Sequence, residues 1–146
     1  MAVMDYGQFL EDVRKRGGFA SNEEAMAVAS HVLMAVAEVL PQRDAEGITT
    51  ILPPELLVYL RPTHAEPDPN FDSQLFLGWV VSTVDATGGR DKTGGGLDIY
   101  ADYSGDEAIR RCQCVFSVLK SLMSDRQQAT MLACLPEEVG VWFSAA

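Results

Sequence analysis

The sequence has 146 residues, the usual size of one domain, and a fold of that length buries roughly 70% of its unfolded surface without a metal or disulfide staple. Hydrophobic residues make up 47% and charged residues 22%, the balance of a globular chain. A formal net charge of −10, from 21 acidic and 11 basic side chains, repels nucleic-acid phosphates and anionic lipid, so neither is an expected partner.

Asp5, Glu11 and Asp12 stand where a signal peptide needs an apolar core, which points to a cytoplasmic chain. A first helix is predicted over Tyr6 to Arg16, ended by Gly17-Gly18, a pair able to supply the left-handed residue of a helix exit. Ser21 and Glu24 form a capping box that opens a second helix running to Leu40. On it Ala25, Ala29, Val32, Leu33, Val36 and Leu40 make a core stripe at spacings of three and four. Met26, Val28, Met34, Ala35 and Val39 make the other faces apolar too. A helix apolar nearly all round belongs either at the centre of a fold or in a subunit interface. Its run from Ala25 to Leu40 is interrupted by Ser30, His31 and Glu38, too short and too polar to span a bilayer. Pro53, like Pro136 later in the chain, suits the first turn of a short last helix, where a missing N–H costs nothing. Residues 62–72, with Pro62, Pro67 and Pro69, read as a linker.

The same elements then recur. Residues from Ser21 to Leu60 align without a gap on residues from Ser104 to Phe143, at a constant offset of 83. Ser21, Glu24, Ala25, Val32, Arg43, Leu52, Pro53, Glu55 and Val58 fall on Ser104, Glu107, Ala108, Val115, Arg126, Leu135, Pro136, Glu138 and Val141. Apolar character is kept at Leu33/Phe116, Val36/Leu119, Leu40/Met123 and Ile48/Met131. This is an internal repeat. Ser104 with Glu107 repeats the capping box, helix two of this copy runs to Met123, and Ser124 with Gln127 opens a short helix through Ala133. On the second copy of helix two the outer faces carry Arg110, Arg111, Gln113, Lys120 and Ser121, so that helix is amphipathic.

The first helix repeats at a different offset, with Phe9-Leu10 and Val13 matching Phe76-Leu77 and Val80. Phe9 lies 12 positions before Ser21, but Phe76 lies 28 before Ser104, so the second copy carries 16 extra residues within 86–103. The expected fold is all-α: one domain of two pseudo-symmetric helical repeats, 5–61 and 73–144, packed as one bundle. A hairpin pairing Trp79–Val84 with Leu97–Tyr103 across the Gly-rich insert is the local alternative. Thr87 to Gly96 hold five glycines and no large apolar side chain, a composition that cannot offset its own ordering entropy.

The ordered set Phe9-Leu10-Glu11-Asp12-Val13, Leu52-Pro53-Pro54-Glu55-Leu56, Val115-Phe116-Ser117-Val118-Leu119 and Leu135-Pro136-Glu137-Glu138 resembles a bacterial family known as domain of unknown function 2267. The resemblance covers nearly the whole chain apart from linker and insert. Members usually show Gln before the Leu-Pro pair, where Ile51 and Cys134 stand here. The resemblance implies an all-helical fold and carries no chemistry with it.

Catalytic, cofactor and metal readings each fail on spacing. Cys112 and Cys114, two apart on a helix, point about 200° apart and cannot grip one metal. Cys112 aligns with core residue Ala29, Cys134 with Ile51, and Cys114 with His31 on a more exposed face. His31 has no acidic residue at i+4, and His64 lies in the linker. Gly88-Gly89-Arg90-Asp91-Lys92-Thr93 ends like a phosphate loop, but Asp91 occupies the position that motif gives to Gly. Asp98, Asp102, Asp106 and Glu107 lack the alternate spacing of a calcium loop. Three cysteines without scaffold spacing read as reduced thiols.

The sequence therefore predicts a non-enzymatic interaction module, needing no cofactor and binding a protein partner or forming a homo-oligomer. The expected surface comprises Met26, Met34 and Val39 on helix two, and Arg90, Lys92, Tyr100 and Tyr103 in and beside the insert. The alternative is a small-molecule binder or enzyme with its pocket between the two repeats.

Overall fold

Local signals set most helix boundaries. In the computed structural model, which describes residues 5–60, 70–86 and 105–146, they produce seven α-helices and one 3₁₀ helix, with no strand among the described residues. In chain order these are α1 (Tyr6–Gly17), α2 (Asn22–Val39), α3 (Gln42–Thr49), the 3₁₀ helix (Pro54–Tyr59), α4 (Ser73–Ala86), α5 (Gly105–Leu122), α6 (Asp125–Cys134) and α7 (Glu137–Ala145). The chain is all-α, as expected.

Asp5 starts α1 by accepting the Gln8 backbone N–H at 3.0 Å. Gly18 ends it in the left-handed region at φ 66°, its N–H turned back to the carbonyls of Arg14 and Lys15. Ser21 accepts the Glu24 N–H at 3.1 Å and opens α2. The Glu24 carboxylate accepts from Ala20 rather than from Ser21, so this box closes one residue early. Ser124 and Gln127 close theirs fully, with arms of 3.1 and 2.9 Å. Pro53 and Pro136 stand at the cap rather than in the first turn; their ψ values of 143° and 151° are those of the extended residue before a helix.

Trp79–Val84, the first arm of the alternative hairpin, is helical. α4 runs unbroken through Trp79–Val84, and it buries Phe76 and Val80, one turn apart, against α2. Packing decides over the strand preference of β-branched residues. Leu97–Tyr103 and the insert lie outside the described residues.

α2 is the central element. It packs against α1, α4, α5 and the 3₁₀ helix, which accounts for its apolar character on every face. Val39, expected on an interaction surface, is a core residue at 3% exposure, and Met26 and Met34 are half-buried. The correction has a simple cause: the faces of α2 that looked surplus are covered by helices of the same chain. α5 packs against α1, α4 and α7, and α6 against α3 and α7. Phe116 of α5 lies 6.2 Å from Phe76 and 5.3 Å from Phe143, the latter edge-on, and joins three helices.

Residues matched by the repeat lie at matching depths. Phe9 and Phe76, Val13 and Val80, Ala29 and Cys112, Val32 and Val115, Leu33 and Phe116, and Ile48 and Met131 are all buried. Helix contacts come in matching pairs as well: α1 on α5 and α4 on α2, the 3₁₀ helix on α2 and α7 on α5. Among the described residues no helix is long and apolar enough to cross a membrane.

Candidate functional site

Residues that two copies keep identical need a reason, and most of the nine identities find one inside the fold. Ala25/Ala108, Val32/Val115 and Leu52/Leu135 are core. Ser21 caps α2, and Pro53 and Pro136 precede their helices. Glu24 and Glu107 both reach Arg111, at 3.7 and 2.9 Å. Glu138 accepts the Ser73 hydroxyl, and Glu55 stands near enough to Tyr6, the residue equivalent to Ser73, to help raise that phenol's pKa after burial and Tyr59. Two pairs remain unexplained by packing: Val58/Val141 and Arg43/Arg126.

Val58 and Val141 are 58% and 63% exposed. Val141 forms one side of an open groove between α6 and α7 with a volume of about 580 Å³. Leu132, 42% exposed, lines it from α6, Leu135 lies at the turn, and Ser144 and Ala145 of α7 also line it. Gly140 lines it as well, and a Cβ there would come within 3.2 Å of the Leu132 side chain. The groove offers aliphatic surface with one carboxylate, Glu137, at its edge.

Arg43 and Arg126 line a smaller cleft between α3 and α6, of about 170 Å³. Asp44, Gly47 and Ile48 of α3 and Gln127 and Thr130 of α6 complete it, and Gln127 donates to the Gly47 carbonyl across it at 3.3 Å. Among the described residues neither arginine side chain makes a hydrogen bond or an ion pair.

The titratable groups elsewhere are structural. His31 is 3% exposed rather than on an outer face, its Nδ1 has no partner, and burial, helped by the charge of Arg111, pushes its pKa down to about 3. A base that weak is poorly matched to proton transfer near neutral pH. Cys114, expected on the same outer face, is buried too and donates to the Val13 carbonyl at 3.3 Å; burial raises its thiol to about 11. Burial raises Cys112 and Cys134 as well, the latter with help from Asp44, so none of the three is an activated nucleophile. Glu107 is held down at about 2, first by its hydrogen bond from Arg110 and then, against burial, by that from Arg111. Both guanidinium groups lie over the Phe19 ring, at 5.6 and 5.4 Å, and Arg110 donates to the Gly17 carbonyl at 2.6 Å. This cluster ties the start of α5 to the exit of α1. No group of three or more His, Cys, Asp and Glu among the described residues could hold a metal ion.

Of the residues predicted for the interaction surface, Met26 accepts the Tyr6 hydroxyl at 3.0 Å, Met34 is half-buried and Val39 is core. Arg90, Lys92, Tyr100 and Tyr103 lie outside the described residues, as do Asp98 and Asp102. Leu132, Val141, Arg43 and Arg126 were not predicted. The signal for three of them, Val141, Arg43 and Arg126, is in the repeat, where Val and Arg recur at places the core does not use.

No curated protein matches the chain. The model of the family described as an uncharacterized conserved protein, DUF2267, matches residues 6–142, and the chain belongs to that family.

Proposed function

We propose that the protein is a non-enzymatic helical interaction module that docks an apolar segment of a protein partner, or of a second copy, in the groove between α6 and α7. The observation that carries this reading is the exposure of Leu132 and Val141, on two different helices lining one open groove, while the large apolar side chains around them are buried. Aliphatic surface exposed along a groove is a feature of interaction sites, whereas scattered single residues need no explanation. Buried, unactivated thiols fit the reducing environment of a cytoplasmic protein. A second reading, a small-molecule site at the junction of the repeats, is supported by the cleft between α3 and α6.

The test has two arms. Sedimentation of the purified protein, wild type against Val141→Glu and Leu132→Glu, detects self-association; a dimer that both changes dissociate supports the second-copy form. A photo-crosslinking residue at position 141 in native cells, against one at exposed Glu46 on another helix, detects a different partner. A defined adduct from 141 alone supports docking in the groove. A monomer that gives no adduct specific to 141 sinks the proposal.

A further inference from the structure

The cleft between α3 and α6 has a composition the fold does not require. Its lining residues correspond under the 83-residue offset: Arg43 with Arg126, Asp44 with Gln127, and Gly47 with Thr130. It therefore lies where the two copies meet symmetrically, with one arginine from each. Both arginines are the second residue of their helix, where the positive end of the helix dipole disfavours a cation. Both are exposed, and neither has a carboxylate partner among the described residues. An arginine kept twice at a position that costs helix stability, and lining the same cleft from both copies, points to a ligand.

We infer that this cleft binds a small dianion, a phosphate group or a short dicarboxylate, held between Arg43 and Arg126. Paired guanidinium groups match the geometry of such oxyanions, because each presents a planar fork of N–H donors. At about 170 Å³ the cleft is well below the ~300–1,000 Å³ of sites for drug-sized molecules, so the ligand is small. The net charge of −10 is no obstacle, since charge beyond about 10 Å is screened at ~0.1 M salt. Asp44 is the one opposing group in the lining. Its Oδ2 lies 3.8 Å from the Cys134 thiol and accepts from it, which directs that oxygen to the thiol. Gln127 at the equivalent position is neutral, so two guanidinium-bearing residues stand against one acidic residue in the lining. The site is separate from the α6–α7 groove and stands or falls apart from it.

Titration of inorganic phosphate and of succinate into isotope-labelled protein, followed at the Gly47 and Thr130 amides, reads the site directly. Millimolar binding of either probe supports the inference; phosphate alone assigns a phosphoryl ligand and succinate alone a dicarboxylate. Arg43→Gln and Arg126→Gln should each weaken binding by roughly tenfold, the loss of one charge-assisted contact. Asp44→Asn should tighten it. The arginine variants should unfold at the same temperature as wild type or slightly higher, because a cation leaves the wrong end of a helix. Absence of any shift at millimolar probe, binding that survives both arginine changes, or arginine variants that lose stability would each overturn the inference.

Discussion

At the scale of single residues, adjacent glycines are needed for different reasons. Gly18 is needed for its backbone, since φ 66° strains any residue with a Cβ, and Gly18→Ala should cost about 1–2 kcal/mol. Gly17 has helical backbone, but a Cβ there would fall 2.2 Å from the Phe19 ring, which is packed beneath Arg110 and Arg111. Gly17→Ala should therefore cost about 1–3 kcal/mol by overpacking. In a Phe19→Ala background the same change should become stabilising by roughly 0.5–1 kcal/mol, because alanine is the better helix former. Urea denaturation of wild type and the three variants closes that cycle, and a Gly17→Ala cost that persists without Phe19 would show that the ring is not the cause.

His31 sets a different expectation at this scale. Its folded pKa of about 3 lies below the ordinary value of 6.5, so the unfolded chain takes up a proton that the folded chain refuses. Stability should fall as pH drops below about 6.5. Glu107, depressed to about 2 from 4.5, contributes stability above about pH 4.5 that is lost below it, so the window from 6.5 to 4.5 belongs mainly to His31. His31→Leu removes both the titration and the unpartnered Nδ1. Denaturation midpoints at pH 7.5 and 5 should separate clearly in wild type and draw together in the variant; equal slopes in both would assign the loss elsewhere.

At the scale of helices, what the sequence revealed depended on how local the cause was. Caps at Ser21 and Ser124, the exit at Gly18 and the stripe on α2 are short-range effects, and each was legible. The choice between helix and strand for Trp79–Val84 was not local. It was made by Phe76 and Val80 packing on α2, and the repeat revealed it only because those residues echo Phe9 and Val13. The excess apolar faces of α2 left two readings open, and only the positions of α1, α4, α5 and the 3₁₀ helix decide between them. Neither groove nor cleft shows in a single helix, since each is made where two helices meet. The equivalent core residues allow a quantitative check. Leu33→Ala should cost about 2–5 kcal/mol and Phe116→Ala about 3–5 kcal/mol, since both are fully buried and Phe116 also loses two ring contacts. A loss below about 1 kcal/mol at both would mean that these helices bury other faces.

At the scale of the whole molecule, the pattern of contacts bears on whether either copy can fold alone. The first helix of each copy packs on the second helix of the other: α1 on α5, and α4 on α2. Separating the copies would uncover α2 along the face that α4 and α5 cover, where much of its apolar surface lies. A half-chain of about 70 residues would then have to hold together on roughly half a core, a size at which a single core is marginal even when complete. The fragments 1–69 and 70–146 should therefore each lack cooperative unfolding when produced separately. Mixed in equal amounts they should associate and recover the helical circular dichroism of the intact chain, because the surfaces each lacks are supplied by the other. The intact chain should unfold in a single transition, with fluorescence and circular dichroism coincident. Fragments that fold independently and do not associate would mean that each copy closes its own core and that the contacts between them are accessory. Reconstitution by mixing would place the stability of the domain in the exchange of helices between its two halves.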